Sequence, residues 1–198
     1  STTHCGPPSR PKTSASKTLS DAEINARVQT LSDGVSIDFF NSSFIINDKK
    51  WDLEKNGHIT LRKSYIEAKD VRFTSGDQEI VISTEMDELT DHTNLIAKIR
   101  KVNIADFTPF FLKQPRLEGV LTGTIKLKEP FGRQIVEFDA EAEDFAVDNK
   151  KIGTTKVKGD LNPKTGVINL EANADGESYK FNVKGSINYK DTTGNGIN

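Results

Sequence analysis

The sequence has little of what most enzymes and membrane-spanning proteins need. It has one cysteine, Cys5, so an internal disulfide is impossible. No segment approaches the roughly 20 consecutive apolar residues that cross a bilayer, and the first 20 residues lack the apolar core of a secretory signal. Lys+Arg number 27 against 29 Asp+Glu, which leaves a net charge of -2. Such a balance argues against nucleic acid as a partner.

Motifs for metal, phosphate or nucleophilic chemistry are also missing. The histidines His4, His58 and His92 have no spacing typical of a zinc site, and Cys5 beside His4 lacks further ligands. No phosphate-binding glycine loop and no GxSxG element occurs. We therefore predict no catalytic residues, no metal site and no cofactor.

The first 18 residues lack large apolar side chains. Residues 1–18 are rich in Ser, Thr and Pro, which predicts a flexible leader or tag, and residues 191–198 are read as a flexible tail. The 198 residues then leave one domain over 19–190.

One segment has the spacing of a helix. Ser20 and Glu23 form a capping-box pattern, and Ile24, Val28 and Leu31 follow at intervals of four and three. This predicts one short N-terminal helix near residues 20–30, ended by Gly34.

The remaining chain alternates apolar and polar residues with a period of two, which is typical of strands with one wet face. Turn sequences at 162–166 and 174–177 separate the last strands, so residues 151–189 read as an antiparallel meander. Residues 56–57 and 75–77 are read as further hairpins, and Pro109 predicts one helical turn or a buried loop plug over 108–112.

Two features allow a structural and a functional interpretation. The acidic residues Glu137, Asp139, Glu141 and Glu143 lie two apart, as a glycosidase pair could, but four like charges on one strand face favour a solvated surface. Trp51, the only tryptophan, is predicted to be a buried anchor, with ligand stacking as the alternative.

The apolar side of so many strands has almost no helix to cover it. A second sheet, closure into a barrel, or a curved sheet whose concave face holds a ligand would each satisfy the pattern. A carbohydrate-binding sandwich is a further reading, although the exposed aromatic platform of such sites is missing.

An ordered series of short β motifs over about residues 35–189 resembles TamB-like proteins of Gram-negative envelopes. The series comprises residues 51–53, 57–59, 71–80, 101–107, 117–125, 144–147, 152–153 and 179–185.

This resemblance implies an elongated antiparallel meander curled into a half-pipe, similar to the AsmA-like and bridge-like lipid transfer proteins, with an apolar concave groove. It implies a non-enzymatic periplasmic segment, anchored in the inner membrane by a part outside this sequence, that shields phospholipid acyl chains between inner and outer membranes. The alternative function is a scaffold in outer-membrane protein translocation and assembly. The implied partners are phospholipid acyl chains, a TamA-like outer-membrane β-barrel and neighbouring β repeats.

The apolar positions of the last five strands are the candidate groove residues. They are Leu117, Leu121, Ile125, Leu127, Val136, Phe138, Ala140, Val157, Leu161, Ile168, Leu170, Phe181, Val183 and Ile187.

Overall fold

The computed structural model describes residues 19–88, 92–110, 112 and 114–190. The predicted leader (1–18) and tail (191–198) lie outside the described residues. The fold is all-β, with 70% of the described residues in strands and one short α-helix among them. The prediction of an all-β antiparallel fold is confirmed.

The described residues form fifteen strands. They are β1 Leu19–Glu23, β2 Ala26–Leu31, β3 Gly34–Phe39, β4 Ser42–Ile46, β5 Lys49–Leu53, β6 His58–Arg62, β7 Tyr65–Lys69, β8 Val71–Ser75, β9 Gln78–Met86, β10 Thr93–Asn103, β11 Leu117–Lys128, β12 Ile135–Val147, β13 Lys150–Asn162, β14 Val167–Asp175 and β15 Lys180–Asn188. The helix α1 is Ile104–Phe107, and a 3-10 turn follows at Thr108–Phe110.

The strands form two antiparallel sheets. The large sheet has 11 strands in the order β1-β4-β5-β8-β9-β10-β11-β12-β13-β14-β15, and the small sheet has four in the order β2-β3-β6-β7. The large sheet is weakly curled and does not close. An open, curled meander is therefore the architecture, as expected.

The C-terminal meander follows from its turns. Between β13 and β14, the Asn162 side-chain oxygen accepts hydrogen bonds from the backbone N–H groups of Lys164 and Thr165. Gly166 then adopts a φ of 78°, which glycine reaches without steric cost. Gly76 supplies a φ of 64° in the same way between β8 and β9. These hairpins are confirmed.

The N-terminal helix prediction is wrong. Residues 26–31 pair with residues 34–39 as the β2–β3 hairpin. Ile24 and Val28 are 55% and 62% exposed, so the helical spacing marks no buried stripe. Cross-strand pairing overrides a local capping pattern here because a short isolated helix is marginal without a packed face.

The helix that does form lies at residues 104–107. Asn103 caps it, its side chain accepting a hydrogen bond from the backbone N–H of Ala105. The 3-10 turn at 108–110 matches the single helical turn predicted around Pro109.

The first eight strands are four long strands, each bent at its middle and shared between the two sheets. β5 pairs with β4 and β8 in the large sheet, whereas β6 pairs with β3 and β7 in the small sheet. Residues 56–57 therefore form a corner, and the hairpin predicted there is wrong. At this corner the backbone N–H of Phe39 donates to the Gly57 carbonyl, and the N–H of Asn56 donates to the Phe39 carbonyl. At the bend between β1 and β2, the N–H of Asn25 donates to the buried Ser42 hydroxyl.

The buried core has two clusters, one between strands of the large sheet and α1, and one where the small sheet lies over β8–β10. In the first, fully buried Trp51 stacks with Phe44 and meets Phe107 edge-on at 5.3 Å between ring centroids. In the second, Leu53, Ala68 and Val71 pack with partly buried apolar side chains from both sheets. Trp51 is thus a buried anchor, as predicted from the sequence.

Candidate functional site

The apolar face of β11–β15, called the open face below, gathers the candidate groove residues. Paired residues on adjacent antiparallel strands point to the same side of a sheet, so the register defines cross-strand rows. The rows are Leu127–Val136–Leu161–Ile168–Ile187, Ile125–Phe138–Gly159–Leu170–Gly185, Gly123–Ala140–Val157–Ala172–Val183 and Leu121–Ala142–Thr155–Ala174–Phe181.

Every candidate groove residue except Leu117 falls in these rows. Leu117 pairs with Val147 beyond a register shift between Glu118 and Val120, so the row pattern does not extend to it. The rows also contain small residues outside the candidate set, such as Ala142, Ala172 and Ala174. They continue the alternation of β12 and β14, so the period of two is the signal that could have found them.

The open face is covered at one end and uncovered at the other. Its second row continues through Ala97 and Ile82 to Val71, which is 2% exposed beneath the small sheet. On the other side of Ala97, Ile125 is 38% exposed, and Val183 on β15 is 51% exposed. The same face is therefore a closed core at β8–β10 and an accessible apolar surface at β11–β15.

An aromatic ring fills the one place where the centre of the open face lacks a side chain. A Cβ added at Gly159 would lie 2.7 Å from Cζ of Phe138, so that ring lies over the glycine. The same Cβ would lie 2.1 Å from the backbone oxygen of Asn169. Glycine is required at 159 by this close approach, and the ring keeps the face continuous across β13.

Helix α1 is fixed at the border between the covered and open parts. Asp106 is 2% exposed, and its carboxylate accepts hydrogen bonds from Lys49 Nζ at 2.7 Å and Asn47 Nδ2 at 2.8 Å. These contacts to the buried Asp106 tie α1 to the β4–β5 hairpin, and Phe107 joins the Trp51 cluster.

The opposite face of β11–β15 carries cross-strand ion pairs. Its carboxylate–lysine contacts are Glu137–Lys128 at 3.0 Å, Asp139–Lys158 at 3.6 Å, Glu141–Lys156 at 3.1 Å, Glu171–Lys184 at 3.8 Å and Asp175–Lys180 at 2.9 Å. The acidic residues of β12 thus lie on a solvated, charge-balanced surface. This arrangement suits an outer wall in water.

Arginines dominate the electrostatics of the neighbouring β8–β10 region. The Arg100 guanidinium, 3.1 Å from Glu79, lowers the pKa of that carboxyl, and Arg72 lowers it further. Arg133 lowers the pKa of Glu129 in the loop after β11. Both acids are ionised at neutral pH.

Sequence reasoning did not foresee the contacts of His58. Its Nδ1 lies 2.7 Å from Asp38 and its Nε2 lies 2.8 Å from the Thr60 hydroxyl. Asp38 and His58 are 20 residues apart and become neighbours only through the β3–β6 pairing. The order carboxylate, imidazole, hydroxyl is that of a nucleophile triad. However, His58 and Asp38 lie on a face of the small sheet that is accessible to water, and their side chains are 30% and 42% exposed. Hydrolysis by a triad also needs hydrogen-bond donors for an oxyanion in a site that excludes water.

Within the described part of the chain, no group of three or more His, Cys, Asp or Glu side chains is placed to hold a metal ion. Among the same residues, no helix is long and apolar enough to span a membrane.

Comparison of the chain with protein-family models, with curated proteins and with solved structures gave no match.

Proposed function

We propose that this protein binds phospholipid acyl chains on its open face and shields them from water during transport between the inner and outer membranes. The resemblance to TamB-like proteins implies this role, together with a periplasmic location and a membrane anchor outside this sequence. The observation that supports it is one continuous apolar surface across β11–β15, backed by a charged surface. No reaction and no cofactor is part of this proposal.

The dimensions of the open face suit an acyl chain. Four spacings of about 4.8 Å separate β11 from β15, so the face is roughly 19 Å across. Six residues separate the first row from the fourth, which gives roughly 20 Å along the strands. One leaflet of a bilayer core, the span of one acyl chain, is about 15 Å. A chain can therefore lie fully on this surface.

The chemistry of the open face favours a tail over a headgroup. Its rows contain aliphatic and aromatic side chains, glycines and a single hydroxyl, Thr155, which is 8% exposed. Nothing in them offers a charge to a phosphate. Contiguous apolar patches of this size on monomeric proteins are frequently binding sites.

An arginine on the open face tests the proposal. Phe138→Arg places a charge in the second row, and Asn169→Arg is the matched control on the charged face, where Asn169 already contacts Asp160 at 3.0 Å. Each purified full chain is incubated with vesicles of phosphatidylethanolamine and phosphatidylglycerol, reisolated, and examined by native mass spectrometry and lipid extraction.

We expect lipid on the wild type and on Asn169→Arg. Phe138→Arg should fold and retain less than about a tenth of it, because an acyl chain on that row must desolvate the guanidinium. Lipid occupancy on folded Phe138→Arg equal to the control, or a wild type that takes up no lipid, would refute the proposal.

A scaffold that acts through β-strand pairing is the second candidate function. The favouring observation is that β15 ends the large sheet and pairs with β14 alone among the described strands. Neighbouring repeats or a TamA-like outer-membrane barrel are the partners that the resemblance implies. Hydrogen exchange of the chain with and without a purified barrel partner tests this function. A change in the protection of the β15 amides, with unchanged lipid occupancy, would favour it.

A further inference from the structure

Among the described strands, none pairs with the outer edge of β15, which therefore presents a row of backbone hydrogen-bonding groups. On the β14 side, the Tyr179 carbonyl accepts a hydrogen bond from the N–H of Gly176, and the N–H of Tyr189 donates to the Gly166 carbonyl. Successive residues of a strand point these groups alternately to either neighbour, and the β14–β15 register is unbroken. The odd-numbered residues of β15 therefore bond inward, and the even-numbered residues 180–188 present N–H and C=O outward.

We infer that this edge pairs with the β15 edge of a second copy of the chain, antiparallel and about a two-fold axis through Val183. An axis normal to the sheet keeps both open faces on the same side, so even-numbered residues pair with even-numbered residues and odd with odd. The even-numbered residues then form the hydrogen-bonded pairs, as they must, because their N–H and C=O groups point outward. Four such pairs, 180 with 186 and 182 with 184 in both senses, give about eight hydrogen bonds.

The side chains of β15 are self-complementary in this register. Val183 meets its own counterpart, Tyr179 meets Ile187, and Phe181 meets Gly185. An aromatic ring opposite a glycine repeats the arrangement that this sheet already uses at Phe138 and Gly159. Tyr179, Phe181, Val183 and Ile187 are 44%, 40%, 51% and 38% exposed, so pairing removes apolar surface from water.

The charges of the edge permit the pairing. Lysines on an edge strand ordinarily discourage strand addition. Here Lys180 and Lys184 already contact Asp175 and Glu171 of β14. In the Val183 register they face Ser186 and Asn182 of the other copy, whereas a register centred one residue later would place Lys184 against itself. The proposed register thus avoids a like-charge contact.

A two-fold pairing stops at two copies, and this separates it from other strand additions. β15 of one copy on β1 of the next would repeat without closing and form a growing series. The inference concerns the protein edge and does not depend on lipid binding.

Cysteine cross-linking tests the register in the full chain. With Cys5→Ser as background, Val183→Cys places two thiols in a non-hydrogen-bonded pair with Cα atoms about 4.5 Å apart, within disulfide range. We expect a covalent dimer under mild oxidation. Phe181→Cys is the matched control, since its own counterpart lies four residues away, about 14 Å. Equal cross-linking of the two variants, or of Gly185→Cys in preference to Val183→Cys, would overturn the register.

Proline on the edge tests the hydrogen bonds. Asn182→Pro removes an outward N–H and keeps the inward bonds to β14, so the monomer should fold, as circular dichroism can verify. We expect a dimer of the wild type in sedimentation velocity and at least a tenfold higher dissociation constant for the variant. A wild-type monomer at high concentration, a wild-type series beyond the dimer, or unchanged association of folded Asn182→Pro would each contradict the inference.

Discussion

Two arginine substitutions in the same cross-strand row should have very different effects on stability. Val71 and Phe138 both belong to the second row, but Val71 is 2% exposed beneath the small sheet and Phe138 is half-buried on the open face. Val71→Arg and Phe138→Arg thus place the same charge at the covered and the uncovered end of one surface.

The expected cost at Val71 is close to the stability of a whole domain. Losing a buried valine costs about 1.5–3 kcal/mol, and an unpaired buried charge adds several kcal/mol. Domains of ordinary stability unfold with about 5–15 kcal/mol. Val71→Arg should therefore be largely unfolded.

The expected cost at Phe138 is much smaller. Half of a phenylalanine's burial is worth about 1–1.5 kcal/mol, and the arginine can keep its methylene stem on the apolar surface while its guanidinium reaches water. A loss of this size lowers the melting temperature of a chain of this length by about 2–6 °C. The variant should fold.

Far-ultraviolet circular dichroism during heating measures both variants, with Asn169→Arg as the control whose melting temperature should match the wild type. If Phe138→Arg is unfolded as well, β11–β15 are covered in solution and the open face does not exist. If Val71→Arg melts normally, the small sheet does not cover β8–β10.

Two further predictions concern ionised groups. Asp106→Ala should lower the free energy of unfolding in urea by about 1–3 kcal/mol because it removes the buried acceptor of Lys49 and Asn47, while the Lys49 side chain, 38% exposed, can turn to water. Lys50→Ala, which breaks the exposed Lys50–Asp52 pair, should change it by under about 1 kcal/mol; equal effects would contradict this. Because the arginines lower the pKa of Glu79, its stabilising contribution is complete above the ordinary value of 4.5 and is lost as pH falls through the lowered folded-state pKa. Glu79→Gln should thus make the urea midpoint fall less steeply than in the wild type in that acidic range, and parallel pH profiles would show that the ion pairs contribute nothing.

The sequence by itself determined the strands and the two-sided character of the meander. Alternation along β12, with Val136 and Phe138 against Glu137 and Asp139, fixes which side chains share a face because the side-chain period of a strand is two. The glycines and asparagines of the hairpin turns fixed the antiparallel neighbours of β13, β14 and β15. These signals are local, so one sequence is enough to interpret them.

Pairing between distant segments decided the rest. The corner at residues 56–57 looks like a hairpin turn locally, and residues 20–30 look like a helix, but both are settled by which strands lie beside them. Coverage of the apolar face is equally non-local. Val71 and Phe138 have the same alternating context in the sequence, and only the folding of the small sheet over β8–β10 buries the one and leaves the other accessible.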